Sequence, residues 1–398
     1  MAVAMRTRID GQAIVRQLHG AVDPMQVNPR FGVAAFVLWT WVMVTSLSYF
    51  RRKAWGWFYA GHFIFLPAAV MTLLHTRCVA SVRSALCHCS RPRSTCRPAH
   101  GPWLIAAAVT FFTDLCIRAY MKFMRKSEVR EATVLPGGVA KLVVATGNGM
   151  VYEPGQYVWI AFVLKDGPEL LQSLSFHPFS ISSAHAAGDK TYTLHIKMMG
   201  PGTWSEAVVK AAEGGAEAFK GGCRVGGPAG RFSIDPAHFE HIVLVAGGIG
   251  FTPLVSLLAA IVRDAASETG TKEAPAQARR YAAVKHITVV WAVQTAACLS
   301  WFADELDACR AASNVAVDLQ LYVTRAAKGD AEGHGGFVAG RPDVAASLAS
   351  AAAQHGAAGP VGVFACGPSQ LLEDTRNAVA AANAGSRRFL LHQETFLF

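Results

Sequence analysis

Ile242-Val-Leu-Val-Ala-Gly-Gly-Ile-Gly-Phe-Thr-Pro253 decides the reading of this chain. Five apolar residues with no polar alternation describe a strand buried on both faces, which is the mark of a parallel sheet. The glycines that follow describe a turn, and Pro253 suits the first turn of a helix. A strand, a glycine turn and a helix N-terminus together offer free backbone N–H groups to an anion, as a pyrophosphate needs. The spacing is not GxGxxG, so this stretch by itself marks a βα turn with the means to bind a dinucleotide.

The same rhythm continues around it. Apolar strands at 241–246, 286–292, 315–323 and 361–365 alternate with helical stretches at 253–264, 302–311 and 369–381, the pattern of an α/β domain over residues 236–398. A polar, Ala-rich insertion at 265–282 and an Ala-rich helix and loop at 345–360 interrupt it. Upstream, short alternating runs at 139–145, 157–164 and 192–198 separated by Gly/Pro turns predict a small antiparallel barrel over residues 127–235. Within it, Gly226-Gly-Pro-Ala-Gly230 reads as a close-approach turn.

Residues 31–126 are different. Apolar stretches at 31–50, 57–76 and 103–121 each have about the 20 residues needed to cross a bilayer. Aromatic and basic residues sit at their ends: Arg51, Arg52 and Lys53 after the first, Arg118, Lys122, Arg125 and Lys126 after the third. The 398 residues are 52% hydrophobic with a net charge of +10, and the basic residues flank apolar runs rather than forming an aromatic-interleaved stripe, which argues against nucleic acid. Residues 1–30 form a polar N-terminal segment, without the apolar core of a cleavable signal. Of nine cysteines, Cys78, Cys87, Cys89 and Cys96 crowd into a basic loop at 77–100. Cys87-His-Cys89 there reads as an irregular, disulfide-capable loop ahead of a metal site. The expectation is a multi-domain, multi-pass membrane protein: three transmembrane α-helices, an antiparallel β-barrel, then an α/β parallel-sheet domain.

In the second apolar stretch His62 and His75 are thirteen residues apart, roughly 20 Å along a helix. Imidazole is a common axial haem ligand, and ionisable groups inside membrane helices tend to be functional, so the pair predicts one ligand to each of two stacked haems. In the barrel, His177-Pro-Phe-Ser-Ile-Ser-Ser183 offers Pro178, Phe179, Ser180, Ile181 and Ser182 either as ordinary loop chemistry or as small groups for the edge of a flavin. Lys197 with Gly202 and Thr203 supplies a cation and a flexible turn for a pyrophosphate. In the last domain Gly247, Gly248, Ile249, Gly250, Phe251, Thr252 and Pro253 form the dinucleotide turn. Cys366, Gly367 and Pro368 follow a second strand, where the cysteine is either buried core filler or a small thiol facing the same crevice. Arg341 is either a surface arginine or a bidentate partner for a ribose 2′-phosphate.

Taken in order, these segments resemble the NADPH oxidase and ferric reductase family, membrane haem cores joined to a ferredoxin-reductase-like FAD/NADPH module. The resemblance runs over nearly all of residues 31–398. His62 and His75 match the haem ligands of the family's fifth membrane helix, and Asp114 to Arg118 the polar end of its sixth. His177-Pro-Phe-Ser matches its flavin motif, the turn at 247–253 its NADPH site, and Cys366-Gly-Pro its nicotinamide side. The resemblance implies FAD, NADPH and haem b as cofactors, with Ser180, Cys366 and Phe396 at the reacting rings. Phe396, or Phe398 as second choice, would be the aromatic residue that covers the flavin until nicotinamide displaces it. Family members carry two further haem histidines on an earlier helix, whereas His19 is the one histidine before residue 31. Three of six helices are therefore expected to be missing, with another chain as one source of the ligands. Nucleotide domains on the cytoplasmic side of a plasma membrane follow by resemblance. Ferric chelate is the first expectation for the acceptor, on the strength of the basic outer loop; superoxide formation from dioxygen is the second. A non-catalytic subunit with a nucleotide fold is the reading of another class.

Overall fold

The computed structural model describes residues 29–47, 58, 61–75, 101–124, 126–146, 149–164, 172, 175–186, 188–267, 280–326, 336–354, 359–385 and 388–395. His19, the cysteine-rich loop at 77–100, most of the insertion at 265–282, and both Phe396 and Phe398 lie outside the described residues. The chain divides into two compact units, residues 1–117 with 396–398, and residues 118–395.

In the first unit α1 (Pro29–Thr45) packs on α2 (Phe65–His75). Trp39 Nε1 donates to Thr72 Oγ1 at 3.0 Å and meets Phe65 edge-on. Gly61 abuts Thr45 so closely that a Cβ would sit 2.4 Å from its hydroxyl oxygen. α3 (Gly101–Met124) begins in the first unit and ends in the second. The described apolar helices are shorter than the stretches read from the sequence: 17 residues in α1 and 11 in α2. α3 is long enough, at 24 residues, but carries Asp114, Arg118 and Lys122. Among the described residues, one helical stretch has both the length and the apolarity to cross a bilayer. It is Gly248–Ala265, two-thirds buried in the protein and so explained as a core helix.

The second unit begins with the barrel. β1 (Lys126–Ser127), β7 (Cys223–Ala229), β4 (Tyr157–Phe162) and β5 (His177–Ser180) form one sheet in that order. β2 (Val129–Leu135), β3 (Val139–Ala145) and β6 (Thr191–Lys197) form the other. A bridge between Ile181 and Leu194 joins them. Alternation explains the core: Leu142 and Val144 of β3, Val158 and Ile160 of β4, and Leu194 and Ile196 of β6 point inward. Helix α4 (Trp204–Glu213) caps the barrel through Val208 and Val209. The segment read as a turn at 226–230 is instead largely strand. Gly226 pairs with Trp159 and Ala229 with Tyr157 around a bulge, because glycine lets the two backbones approach.

The α/β domain is a six-stranded, all-parallel sheet in the order β11 (Val338–Ala339), β10 (Ala316–Val323), β9 (His286–Val293), β8 (His241–Gly247), β12 (Val361–Cys366), β13 (Phe389–Glu394). Every residue of β8 is buried. Ile242, Leu244 and Ala246 face α5 (Thr252–Ser267) and α6 (Ala303–Ala311); Val243 and Val245 face α7 (Val344–Gln354) and α8 (Ser369–Ala382). This is why the strand reads as continuously apolar. The strands and helices read from the sequence lie within three residues of these, but the short β11 and the sixth strand, β13, have no counterpart there.

Barrel and sheet dock through specific polar contacts. Gly155 N–H donates to Ser256 Oγ at 3.0 Å. Arg263 donates to the carbonyls of Ala184 and His185. Trp301 Nε1 donates to Pro136 O at 2.7 Å, and Arg280 pairs with Glu153 at 2.7 Å.

Candidate active site

The chain runs outward from β8 to β9 on one side and to β12 on the other, and such a switch point opens a crevice at the carboxyl ends of the strands. Two motifs meet there. A Cβ on Gly247 would lie 2.5 Å from Pro368 Cδ, one on Gly250 2.7 Å from Cys366 O, and one on Gly367 2.9 Å from Gly247 N. Real side chains do not tolerate such distances, so glycines from segments more than a hundred residues apart interlock, Gly250 and Gly367 against backbone and Gly247 against the Pro368 ring. Gly248 differs: its φ is +55° and nothing lies within 4 Å of its missing Cβ. Its open face at the start of the 3₁₀ turn Gly248–Phe251 is a cradle that a pyrophosphate fits. Ile249 is half-buried beside it. Phe251 stacks on Trp291, whose Nε1 donates to Gly248 O at 3.0 Å and pins the turn. Thr252 caps back onto Ile249 O, and Pro253 O accepts from Ser256.

On the barrel side β5 presents His177, Pro178, Phe179 and Ser180, followed by Ile181 and Ser182. The last three are buried. Ile181 belongs to the barrel core, so by alternation Ser180 and Ser182 take the opposite face. Ser182 Oγ lies 2.8 Å from His195 Nδ1 and 3.0 Å from Thr193 O. His195 packs on Phe302 of the sheet domain, and burial holds its imidazole down at about 3. Trp204, which the sequence reading did not single out, stacks on His177 at 4.1 Å, on Phe179 at 5.6 Å and on Phe162 at 5.7 Å. Burial also lowers the pKa of His177.

Thr203 caps α4 by accepting from Glu206 N, and Gly202 N–H donates to Glu206 Oε2 at 2.6 Å. A pyrophosphate at this turn would therefore exchange places with a carboxylate. Gly200 and Gly202 leave open space where a Cβ would stand, so the backbone is accessible. Lys197 closes β6 with its ammonium 5.7 Å above the Trp301 ring.

At the far edge β13 adds what local sequence did not reveal. Glu394 is the register partner of Cys366. Burial, with the nearby Glu394 charge, pushes the Cys366 thiol up to about 12, so it is a protonated thiol at neutral pH. Beyond β10, Gly340 N–H donates to Val323 O, which brings exposed Arg341 to the same strand end as exposed Arg325. Arg325 is a second cation that the sequence reading passed over. In the other unit, exposed His62 has Nδ1 2.8 Å from Phe58 O. That bond fixes the proton on Nδ1 and leaves Nε2, 3.5 Å from Ser46 Oγ, with the lone pair a metal needs. His75 ends α2; its side chain lies outside the described ones.

A family model for an FAD-binding domain matches residues 124–218, and one for a ferric reductase NAD binding domain matches residues 239–334. Human Dual oxidase 2 is 25% identical over 391 residues, covering 92% of this chain and 23% of that protein. Dual oxidase of Drosophila melanogaster is 24% identical, with 97% and 25% covered. Respiratory burst oxidase homolog protein B of Arabidopsis thaliana is 25% identical, with 52% and 26% covered. The chain spans about a quarter of the length of these relatives. Among solved structures, the flavohem-like FAD/NAD-binding domain of nitric oxide dioxygenase from Vibrio cholerae aligns at 18% identity with a TM-score of 0.47, over 68% of this chain and 98% of that one.

Barrel, sheet and crevice thus define an oxidoreductase with an FAD-binding and an NAD(P)H-binding domain. Both domain matches and these relatives make the chain similar to the NADPH oxidase and ferric reductase family.

Proposed function

We propose that this chain carries the NADPH-oxidising part of a membrane-bound oxidase whose terminal acceptor is dioxygen. The observation that carries the reading is the interlock of Gly247, Gly250 and Gly367, which leaves the backbone of Gly248 open at the switch point. When bound, FAD takes a hydride from NADPH and releases electrons singly, and haem b relays single electrons.

The residues of the chain do the rest. Gly248 and the turn to Pro253 would hold the NADPH pyrophosphate. Arg341 and Arg325 offer guanidinium groups for a ribose 2′-phosphate, which favours NADPH over NADH. Phe179 and Ser180 would seat the flavin ring, with His177 and Thr203 toward its pyrophosphate. Cys366, a neutral thiol, would bound the nicotinamide side. Phe396 is assigned the aromatic cover by resemblance alone.

Exposed apolar side chains support the membrane assignment. Phe36 and Phe63 are 73% and 57% exposed in the first unit, and Val33, Met43, Val109 and Ile117 are also exposed. Leaving such surface in water is costly, and lipid tails would cover it. His62 would offer its Nε2 to haem, His75 would be its counterpart, and the remaining ligands would come from outside residues 29–398. A plasma membrane location, with residues 118–395 on its cytoplasmic side, completes the proposal.

Dioxygen now stands ahead of ferric chelate as the acceptor, because the relatives matched over most of this chain are named oxidases. Detergent-purified protein given NADPH should reduce cytochrome c in a superoxide-dismutase-sensitive manner. Fe(II) trapped by ferrozine without any superoxide would restore the ferric chelate reading. Protein that reduces neither these acceptors nor ferricyanide and takes up no FAD would overturn both and leave a non-catalytic subunit.

A further inference from the structure

The linker between barrel and sheet reaches the mouth of the crevice through one histidine. His392 and Glu394 share a face of β13, while Gln393 points the other way and donates to Leu372 O at 2.6 Å. Ser233, in the linker, sends its backbone N–H to His392 Nδ1 at 3.1 Å and places its hydroxyl 2.8 Å from the same atom. An amide N–H can only donate, so Nδ1 is an acceptor and the proton of the neutral ring sits on Nε2. Nε2 lies 3.1 Å from Glu394 Oε2 and donates to it.

The imidazole is 6% exposed, with the Phe232 ring edge-on at 5.1 Å and Phe364 at 6.0 Å. Phe232 in turn fills the space a Cβ on barrel residue Gly155 would need, its Cζ 2.3 Å from that position. One run of contacts therefore leads from the barrel through the linker to the carboxylate paired in register with Cys366.

We propose that His392 is a positioning residue: in the tautomer that the Ser233 N–H sets, its Nε2–H holds the Glu394 carboxylate at the nicotinamide side of the crevice. The proposal rests on the reading of the Cys366 end as the nicotinamide side. A carboxylate restrained by one directed N–H keeps its other oxygen for a second donor, and a nicotinamide brings one in its carboxamide NH₂. Orientation of a functional group by a buried partner of fixed tautomer is the same device that sets metal-ligating imidazoles. The competing explanation is a linker anchor with no bearing on the nucleotide.

Two substitutions separate the two bonds of the ring. His392→Asn keeps an acceptor for Ser233 but has no donor long enough to reach Glu394. His392→Gln extends an amide N–H toward Glu394 at the expense of Ser233. Full-length, FAD-loaded protein in detergent is titrated with NADP⁺ by flavin difference absorbance, and amide hydrogen exchange is followed over residues 230–236. His392→Asn should weaken NADP⁺ binding roughly tenfold, the scale of one lost charge-assisted hydrogen bond, with protection at Ser233 retained. His392→Gln should recover most of that affinity while exchange at Ser233 accelerates. If His392→Asn does not accumulate, His392→Gln decides: near-native affinity supports the proposal, and affinity lost along with protection overturns it. Glu394→Gln tests the underlying site. If it binds and oxidises NADPH like the parent, the nicotinamide-side assignment falls. If it is impaired while His392→Asn binds normally, that assignment stands and the role of His392 falls.

Discussion

Replacing Gly250 by alanine puts a single methyl group against two backbones. The new Cβ would lie 2.7 Å from Cys366 O, 3.0 Å from Cys366 C and 3.1 Å from Gly367 Cα. Carbon and carbonyl oxygen ordinarily approach to about 3.3–3.6 Å, so the groups must separate by roughly 0.6–0.9 Å. Neither partner is a side chain that can swing aside, since β12 is hydrogen-bonded to β8 and β13 along its whole length. Overpacking of this kind costs about 1–3 kcal/mol. At roughly 2–4 °C per kcal/mol for a domain of this size, Tm should fall by several degrees. A displacement near 1 Å at a reacting centre costs up to about a hundredfold in rate. NADPH:ferricyanide kcat/KM should therefore drop by roughly ten- to a hundredfold. FAD content should hold, because the flavin residues lie on the barrel. Gly359→Ala is the control, as nothing lies within 4 Å of its Cβ. A Gly250→Ala protein with parental kcat/KM and Tm would refute the interlock as the organiser of the crevice.

The buried His195 predicts acid sensitivity. Its folded pKa of about 3 lies below the unfolded value of 6.5, so the unfolded chain binds the proton more tightly. Stability is then complete above pH 6.5 and declines as pH falls toward 3, by about 2 kcal/mol between pH 7 and 5. Tm measured over that range should fall less steeply in His195→Gln, and parallel slopes would count against it. The protonated thiols of Cys223, Cys309 and Cys366, each raised to about 12 by burial, should resist iodoacetamide at pH 8 until the protein unfolds. Fast native labelling of Cys366 would contradict its assignment as a neutral thiol. Arg341→Ala should raise KM for NADPH roughly tenfold or more and leave KM for NADH unchanged, an expectation that equal effects on both would defeat.

Much of the architecture is legible in residue order because burial leaves local signatures. The run Ile242 to Ala246 is apolar throughout since β8 is covered on both faces. The alternating run Val139 to Ala145 reports a barrel strand with one face inward. The glycines at 247, 248 and 250 advertise a turn, but not their different tasks: Gly247 admits the Pro368 ring, Gly250 admits the backbone of Cys366, and Gly248 leaves room for a ligand. Only tertiary structure separates these, since the atoms that fill the space come from residues 366–371.

The same limit applies at the end of the chain. Phe389-Leu-Leu-His-Gln-Glu394 is too short and mixed in pattern to announce a sixth strand. Its parallel register with β12 sets Glu394 beside Cys366 and His392 beside Ser233, 159 residues away in sequence. Composition and periodicity determined most of the strands and helices. Which side chains meet was decided by strand order and register, because pairing between distant segments is fixed by the packing of whole faces and leaves no trace in neighbouring residues.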